Sequence, residues 1–236
     1  MPEAPAVRDM FARISPRYDR LNRILSMGID VGWRKQAVRY SEMKPGDRVL
    51  DACSGTGDLA NALSDAGADV VGSDFCGEML EFAEQKNLKR AEGRRPAFVQ
   101  ADTTQLPWAD STFDLATVAF GIRNVEDPRR GLAEMLRVVR PGGRVLVLEF
   151  CKPRTPGLRQ AYMFYFRRVL PRLGRMLCAE SAGAYDYLPD SVMQFPEREG
   201  FLQLMREAGW EDAEYRTLSG GIAALYRGRR PEASPA

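Results

Sequence analysis

The chain has 236 residues, of which 44% are hydrophobic, and its 34 basic and 32 acidic side chains leave a net charge of only +2. This balance gives no general affinity for nucleic acid, and no apolar run reaches the roughly 18 residues of a transmembrane helix. Histidine is absent, which excludes imidazole as a general base, a triad member or a metal ligand. Proton transfer would have to use carboxylates, Tyr, Lys, Cys, water or the substrate.

The four cysteines are far apart in the sequence and form no CxxC pair; they are Cys53, Cys76, Cys151 and Cys178. We therefore expect neither a disulfide framework nor a metal site, and a reducing cytoplasm is the simpler interpretation. The first residues also lack the basic and then apolar pattern of a signal peptide. Both observations favour a cytoplasmic location.

The N-terminal segment, residues 7–40, has apolar side chains three and four residues apart, which predicts helices. Pro16 lacks a backbone N–H and fixes φ, so we expect it to divide the segment into two helices. Residues 43–47 contain a Pro-Gly pair and predict a turn into the first strand.

Residues 48–150 alternate between apolar strand segments and helical segments. This alternation predicts an α/β fold with a parallel sheet and helices on both faces, in which ligands bind outside the carboxyl ends of the strands. The strands are expected at 48–52, 69–73, 97–101, 114–119 and 144–150, and the helices at 58–66, 77–91 and 128–138.

The alternation stops after residue 150. Residues 152–179 combine seven basic side chains with many aromatic and aliphatic ones and contain no acid. We interpret this stretch as part of an inserted helical cap that extends to about residue 195. Aromatic and aliphatic side chains here would line a tunnel, while the arginines would meet anionic lipid headgroups.

The C-terminal part predicts a helix from Arg198 to Ala208, ended by Gly209. Two strands, at about 213–218 and 222–227, then complete the sheet. The tail from Gly228 is rich in Arg, Pro and Ala and is expected to be disordered. The chain is therefore expected to form one domain over residues 1–228.

The segment from Arg48 to Ala60 carries the most specific local pattern. An apolar run that ends in Asp51 is followed by the Ser54–Gly57 turn and a helix start at Asp58. Glycine permits positive φ and the close approach of a ligand, and a helix start exposes unpaired N–H donors. We therefore predict a ligand with a nucleoside part, with Asp58 acting as a helix cap.

Two cofactor classes fit this turn. Residues 55–60 satisfy the GxGxxA pattern of dinucleotide-binding folds, which favours a nicotinamide oxidoreductase, and Asp74 can bind a ribose in either class. Three features favour a sulfonium cofactor. Asp51 precedes the turn and can face a cation or an amine; Asp102 ends the third strand and can accept from an adenine amino group. The third feature is a turn at 140–143, followed by the fifth strand and two closing strands.

A series of different, distinctive motifs is spread between residues 7 and 228. They are Phe11-x-x-Ile-Ser-Pro-x-Tyr-Asp19, Leu21-Asn22, Ser26-Met-Gly-Ile29, Trp33-Arg34, Phe120-Gly-Ile-Arg-Asn-Val125, Leu148-Glu-Phe150, Val169-Leu-Pro171, Tyr185-x-Tyr-Leu-x-x-Ser191, Phe195-Pro196 and Ser219-Gly-Gly-Ile222. With the sulfonium features, this combination resembles the ubiquinone/menaquinone biosynthesis C-methyltransferases, which are class I S-adenosylmethionine-dependent methyltransferases. The resemblance implies a seven-stranded, mostly parallel Rossmann-like sheet with an N-terminal helical lid and an inserted helical cap.

The resemblance also implies a set of residues that bind S-adenosyl-L-methionine. Together with the glycine turn, the predicted cofactor residues are Asp51, Gly55, Thr56, Gly57, Asp74, Asp102, Thr103 and Ala119. The family often has Ser at position 119, so only a backbone contact would survive there. The family also often has His where this chain has Asp30 and Tyr226, which weakens any mechanism that requires histidine.

Family members methylate a ring carbon of a polyprenylated quinol, and demethylmenaquinol is the acceptor we favour here over the equivalent benzoquinol of ubiquinone biosynthesis. Ionising the hydroxyl beside that carbon makes the carbon nucleophilic. Arg123 is the predicted stabiliser, which would hold the phenolate or an activating water. Asn124 would orient the ring oxygens, and Tyr18 would close the site or relay a proton.

Asp19, Tyr185 and Tyr187 are weaker candidates for closing the site or relaying a proton, and Cys53 is expected to pack rather than to react. Three functional classes stay open at this point: the quinol methyltransferase, a nicotinamide oxidoreductase, and a cofactor-binding but inactive subunit of a quinone-biosynthesis assembly. The expected partners are a polyprenylated quinol, the inner face of the cell membrane through the basic aromatic cap, and a second copy of the chain.

Overall fold

The computed structural model describes residues 4–177 and 182–233. Seven strands form one sheet in the order β3-β2-β1-β4-β5-β7-β6, with β1 to β5 parallel and β7 antiparallel to both of its neighbours. The strands are β1 (Arg48–Ala52), β2 (Asp69–Asp74), β3 (Ala97–Gln100), β4 (Phe113–Ala119), β5 (Val139–Phe150), β6 (Glu211–Leu218) and β7 (Ala223–Arg229). The predicted Rossmann-like sheet is confirmed.

Ten α-helices are described in these two ranges. They are α1 (Ala4–Ile14), α2 (Tyr18–Leu25), α3 (Ile29–Tyr40), α4 (Asp58–Asp65), α5 (Gly77–Asn87), α6 (Pro128–Val138), α7 (Pro156–Phe164), α8 (Leu170–Leu177), α9 (Ala182–Gln194) and α10 (Glu199–Glu207). None of the helices in the described residues is long and apolar enough to cross a membrane.

The sheet core is built from fully buried aliphatic side chains on the central strands. Val49 and Leu50 of β1, Leu115 of β4 and Leu146 of β5 are at most 1% exposed. Each of these strands is covered on both faces, because α4 and α3 lie on one side and α6 and α10 on the other. A continuous apolar strand between two helical layers is the pattern expected of a buried parallel sheet.

The segment at 140–143 departs from the prediction of a turn that precedes the fifth strand. It lies inside β5, where the register with β4 jumps from Phe113↔Val139 to Leu115↔Arg144. The intervening residues form an irregular bulge, and a Cβ on Gly143 would lie 2.8 Å from the backbone oxygen of Asp114. Glycine is thus required by close backbone approach at this position.

The N-terminal lid (α1, α2 and α3) contains three helices rather than the two predicted. A 3₁₀ turn at Ser15–Arg17 carries Pro16, as expected, and a second break follows at Met27 and Gly28. Both of these residues have positive φ, +52° and +74°, a conformation that helices do not continue through. The Trp33 side chain of α3 then anchors the lid, since its Nε1 donates to Ser219 Oγ at 2.9 Å.

The cap (α7, α8 and α9) packs on the lid rather than on the sheet alone. A π-helical turn at Tyr165–Val169 joins α7 to α8, and Leu21 and Leu25 of the lid share a buried cluster with Tyr162 and Phe166 of the cap. Lid and cap therefore pack together and cover the carboxyl ends of the strands. Cys178 and residues 234–236 lie outside the described residues.

The C-terminal strand continues past the predicted tail boundary at Gly228. β7 extends to Arg229, and the Arg230 guanidinium donates to the backbone oxygens of Leu136 and Arg137 at 3.0 and 2.8 Å. The mostly buried run of β7 ends at Gly228, but backbone pairing and these side-chain bonds still hold the next residues.

Candidate active site

Two cavities meet at the carboxyl ends of the strands. The first, which we call the polar cavity, has a volume of about 920 Å³ and is walled by the ends of β1, β2 and β4 and by the glycine turn. The second, the apolar cavity, has a volume of about 1150 Å³ and lies between the lid, the cap and the end of β5. The side chains on both walls are Phe11, Tyr18, Arg34 and Phe120.

The glycine turn forms one wall of the polar cavity. Gly55 and Thr56 line it, whereas Gly57 packs below, where an added Cβ would lie 2.6 Å from the Phe98 ring. Gly55 and Gly57 both have positive φ, as the prediction of a tight turn requires. The Thr56 hydroxyl donates to Asp19 at 2.5 Å, so the lid contacts the turn directly.

Asp58 does not act as the helix cap that the sequence predicts. It is the first residue of α4, and its carboxylate accepts from Arg23 of the lid and from Lys86 of α5, both at 2.7 Å. Burial alone would raise its pKa, but the charges of Lys86, Arg34 and Arg23 hold that pKa below the usual range. Since Asp58 also lines the polar cavity, it belongs to an ionic network between lid and turn.

Asp51, the penultimate residue of β1, is a buried carboxylate, only 1% exposed. Its Oδ1 accepts from Thr117 Oγ1 at 2.8 Å, while Oδ2 has no partner among the described residues. Burial raises the pKa of Asp51 to about 7, because it disfavours the charged form, and the Thr117 hydroxyl, the Arg34 charge and the Ala60 N–H oppose this rise. An unpartnered buried carboxylate oxygen on a cavity wall is suited to bind an ammonium group.

Asp74 ends β2 and holds the loops on either side of it. Its Oδ2 accepts from the Gly55 N–H at 2.8 Å and its Oδ1 from the Cys76 N–H at 2.9 Å. Burial raises the pKa of Asp74 to about 6, and the backbone donors oppose this. Each oxygen retains a second lone pair, so the carboxylate can still accept from ribose hydroxyls.

The far end of the polar cavity is formed by the segment after β3. The Asp102 carboxylate accepts from the backbone N–H of Thr104 at 2.7 Å, and Thr103 is buried beside Cys53, with 3.3 Å between Oγ1 and Sγ. Burial raises the pKa of Cys53, which disfavours the reactive thiolate and agrees with a packing role. Ala119, at the end of β4, also lines this cavity.

Arg123 lines the apolar cavity and is only 7% exposed. Its Nη1 donates to Glu149 Oε1 at 2.9 Å and to the backbone oxygen of Phe120 at 2.5 Å. Its guanidinium carbon lies 5.3 Å from the centre of the Phe150 ring. Burial raises the pKa of Glu149 despite this cation. The guanidinium is therefore held rigidly at the cavity wall.

The boundary between the cavities carries Tyr18 and Asn124. Burial raises the pKa of Tyr18, and the charges of Arg123 and Arg34 oppose the rise, so the phenol lies near both cations. Asn124 lines the polar cavity, and its Oδ1 accepts from the Tyr187 hydroxyl, which belongs to the apolar cavity, at 3.0 Å. The side chain of Tyr185 lies outside the described part of the structure.

The structure thus gathers the predicted residues from seven separate segments around the two cavities; Gly57 alone among them packs beneath the turn. Two residues that the sequence reasoning left without a role also belong to this region. Arg34 follows Trp33 in a quoted motif and lines both cavities, and Glu149 in Leu148-Glu-Phe150 binds Arg123.

Residues 2–230 match the ubiE/COQ5 methyltransferase family. The chain is 48% identical over 231 residues to the ubiquinone/menaquinone biosynthesis C-methyltransferase UbiE of Bdellovibrio bacteriovorus, covering 96% of this chain and 97% of that protein. It is 45% identical to the demethylmenaquinone methyltransferase of Deinococcus radiodurans, covering 94% and 92%, and 45% identical to that of Thermus thermophilus, covering 94% and 100%.

Solved structures share the fold at low sequence identity. A SAM-dependent methyltransferase from Thermotoga maritima, described as a possible histamine N-methyltransferase, has a TM-score of 0.68 at 21% identity and covers 95% of this chain and 99% of its own. The [4+2]-cyclase SpnF has a TM-score of 0.73 at 17% identity, covering 98% and 97%. At this identity the likeness shows the fold alone.

The sheet order, the acidic strand ends and the glycine turn define a class I S-adenosylmethionine-dependent methyltransferase. More particularly, the chain belongs to the ubiE/COQ5 methyltransferase family. The predictions of a methyltransferase and of S-adenosylmethionine as its cofactor are confirmed, and the nicotinamide alternative raised by the GxGxxA pattern is dropped.

Proposed function

We propose that this protein transfers a methyl group from S-adenosylmethionine to a ring carbon of a polyprenylated quinol, with demethylmenaquinol as the acceptor. The observation that carries the proposal is the junction of two unlike cavities. An acidic cavity for a cationic cofactor opens directly into a larger apolar cavity, and the buried cation Arg123 stands on the apolar wall. The relatives named as quinone-biosynthesis methyltransferases support this acceptor class.

The residues of the polar cavity fit the cofactor. The unpartnered Asp51 Oδ2 suits the α-ammonium group, Asp74 suits the ribose hydroxyls, and Asp102 suits the adenine amino group. Thr103 and Ala119 would contact the base through backbone and packing. The Thr56 hydroxyl is already engaged by Asp19, so Thr56 would contribute its backbone N–H.

When bound, S-adenosylmethionine supplies an electrophilic methyl group on a positively charged sulfur. The chain contributes orientation, because in-line transfer needs the carbon and the methyl group aligned at about 3 Å. Phe120 and Tyr18, which stand on both walls, define the passage through which the two reactants meet. Transfer would form the new C–C bond as the S–C bond breaks, would leave neutral S-adenosylhomocysteine, and would pass the ring proton to water.

Arg123 stabilises the acceptor's phenolate in this scheme. It is a poor base because its pKa lies above about 12, but a fixed, desolvated cation lowers the energy of the anion that makes the ring carbon nucleophilic. Asn124 would hold a ring oxygen through its amide. Tyr18 would close the passage and donate to the same oxygen, since burial keeps its phenol protonated.

The test is quinone analysis by mass spectrometry in a strain lacking this gene, with and without the gene restored. Accumulation of demethylmenaquinone that restoration removes is the expected result. Accumulation of the demethylated benzoquinone would move the assignment to the ubiquinone step. Unchanged quinones in the deletion strain would refute the proposal.

We also propose that the protein is cytoplasmic and meets the membrane at the mouth of the apolar cavity. The lid and the cap carry most of the exposed large hydrophobic side chains of the described residues, with Ile24, Met27 and Ile29 on the lid and Leu158 and Phe164 on the cap. Met27 and Ile29 also line the apolar cavity. Exposed Arg20, Arg167, Arg168 and Arg172 lie on the same lid and cap helices. Apolar insertion combined with basic side chains is what anionic bilayers bind.

Liposome flotation tests the membrane contact. Met27→Asp combined with Phe164→Asp should abolish flotation with anionic vesicles. Leu88→Asp is the matched control, because Leu88 is equally exposed, at 74%, but lies beyond the end of α5. Absence of flotation by the unaltered protein with both neutral and anionic vesicles would refute the contact.

A further inference from the structure

Among the residues that the structure describes, Arg34 is the one cation that lines both cavities. It projects from α3 of the lid, and its side chain is 12% exposed. Its charge lowers the pKa of both Asp51 and Asp58 against the effect of burial. Arg34 therefore lies close to the glycine turn and to the carboxylate that we assign to the cofactor's α-ammonium group.

The hydrogen bonds of Arg34 leave part of the guanidinium available. Within residues 4–177 and 182–233, both bonds are made by Nη1, to the carboxylate and the backbone oxygen of Asp30. Asp30 is itself buried, 4% exposed, and also accepts from Ser26 at 2.7 Å. Nη2 and Nε remain for a ligand, while Asp30 fixes the direction of the side chain.

The charges around this end of the polar cavity match an amino acid. A free α-amino acid carries an ammonium and a carboxylate on one carbon, so its binding site needs an anion and a cation side by side. Asp51 supplies the unpartnered anion. A guanidinium presents a planar fork of donors that suits a carboxylate.

We propose that Arg34 binds the α-carboxylate of the cofactor's methionine end, so that Asp51 and Arg34 together recognise the zwitterion. Because Arg34 belongs to the lid and Asp51 to the sheet, the bound amino acid joins the two. The inference rests on the cofactor and is independent of which quinol accepts the methyl group.

The test is a binding comparison by calorimetry, with the ligand as one variable and the protein as the other. The ligands are S-adenosylhomocysteine and its decarboxylated analogue, which keeps the amine and lacks the carboxylate. The unaltered protein should prefer S-adenosylhomocysteine by roughly 10- to 100-fold, the range for a hydrogen-bonded charge pair. In Arg34→Gln this preference should fall to about twofold or less, while the affinity for the decarboxylated analogue stays within about twofold.

Arg23→Gln is the matched control. Arg23 pairs with Asp30, as Arg34 does, and with Asp58 at 2.7 Å, yet it acts on the lid network rather than on the cavity wall. It should keep the full preference for the carboxylate. Arg34→Lys should keep part of it, which also shows that the site tolerates substitution.

Three outcomes overturn the proposal. Equal weakening of both ligands by Arg34→Gln would show that the residue supports the fold of the cavity and does not bind the carboxylate. Unchanged binding of both ligands with slower methyl transfer would place Arg34 on the acceptor instead. An equal loss of preference in Arg23→Gln would assign the effect to lid closure.

Discussion

The cofactor affinity should depend on the protonation of Asp51. Burial raises the pKa of this carboxyl to about 7, so without a ligand it holds its proton through much of the weakly acidic range. An ammonium group binds the carboxylate and not the acid. Binding at pH values below 7 must therefore remove this proton, and the free energy needed to deprotonate Asp51 weakens the affinity.

The size of the effect follows from the ionised fraction. For a pKa of about 7, the carboxylate fraction rises from roughly 3% at pH 5.5 to roughly 75% at pH 7.5, so the Kd for S-adenosylhomocysteine should fall about 25-fold. Asp74, with a pKa of about 6, contributes at most about 4-fold over the same range. The two carboxyls are thus distinguishable by magnitude.

Isothermal titration calorimetry between pH 5.5 and 7.5 measures this dependence, and buffers with different ionisation enthalpies count the protons released. Asp51→Asn should bind more weakly and retain only the shallow dependence left by Asp74. The control Asp69→Asn removes an exposed acid at the opposite end of β2, whose side chain is 73% exposed, and should keep the full slope. An unaltered protein whose Kd changes less than about 4-fold across this range would refute the assignment of Asp51.

The same pKa has a consequence for stability without cofactor. Because the folded-state pKa is raised, the folded chain binds the Asp51 proton more tightly, and this stabilisation is lost as pH rises through 7. The shift from 3.8 to about 7 corresponds to no more than about 4 kcal/mol. Asp51→Asn should therefore raise Tm relative to the unaltered protein at pH 8 more than at pH 5, measured by calorimetry. Equal differences at both pH values would contradict the raised pKa.

Three further predictions concern side chains around the junction. Arg123→Met alone leaves Glu149 buried without a cation and should cost about 3–5 kcal/mol of unfolding free energy. Arg123→Met combined with Glu149→Gln should regain most of that stability but should still lose turnover. If the double variant also regained turnover, the proposed role of Arg123 would be excluded. Lys86→Met should lower stability by less than about 1 kcal/mol but speed amide exchange in α2, whereas unchanged exchange would show that this cation does not hold the lid. Gly121→Ala brings a Cβ within 2.3 Å of the Cys53 Cβ and should cost about 1–3 kcal/mol in urea unfolding, with unchanged stability contradicting the packing.

The elements that the sequence predicts well are those with a local physical cause. β1, β2 and β4 are short, largely apolar segments that end in Asp or Ala, and the hydrophobic pattern alone is enough to specify them. The bulge in β5 was missed because it depends on register with β4, which a single strand's pattern does not contain. The second break of the lid was not predicted, because the sequence pattern there indicates a helix. The break depends on the left-handed backbone at Met27 and Gly28.

The residues of the site divide in the same way, into those placed by a local sequence pattern and those placed by contacts with distant residues. Asp51 and Asp74 lie at the carboxyl ends of β1 and β2, so topology alone places them at the ligand edge of the sheet. Asp58 looks like a cap from its position in the sequence, and its real partners, Arg23 and Lys86, lie 35 and 28 residues away. Arg34 gives no local signal, because its role depends on how the lid folds over the sheet.

The missing histidine is explained by the way charges are arranged at the junction. Each cation on the cavity walls has a buried carboxylate behind it: Glu149 holds Arg123 from the sheet, and Asp30 holds Arg34 from the lid. Both carboxylates are occupied by these guanidinium groups, and burial raises the pKa of Tyr18, so the phenol keeps its proton. Such a site favours the anion of the acceptor instead of removing its proton by a side-chain base. Methyl transfer at saturating cofactor should then rise with pH until the acceptor hydroxyl ionises, and Arg123→Met should move that rise to higher pH.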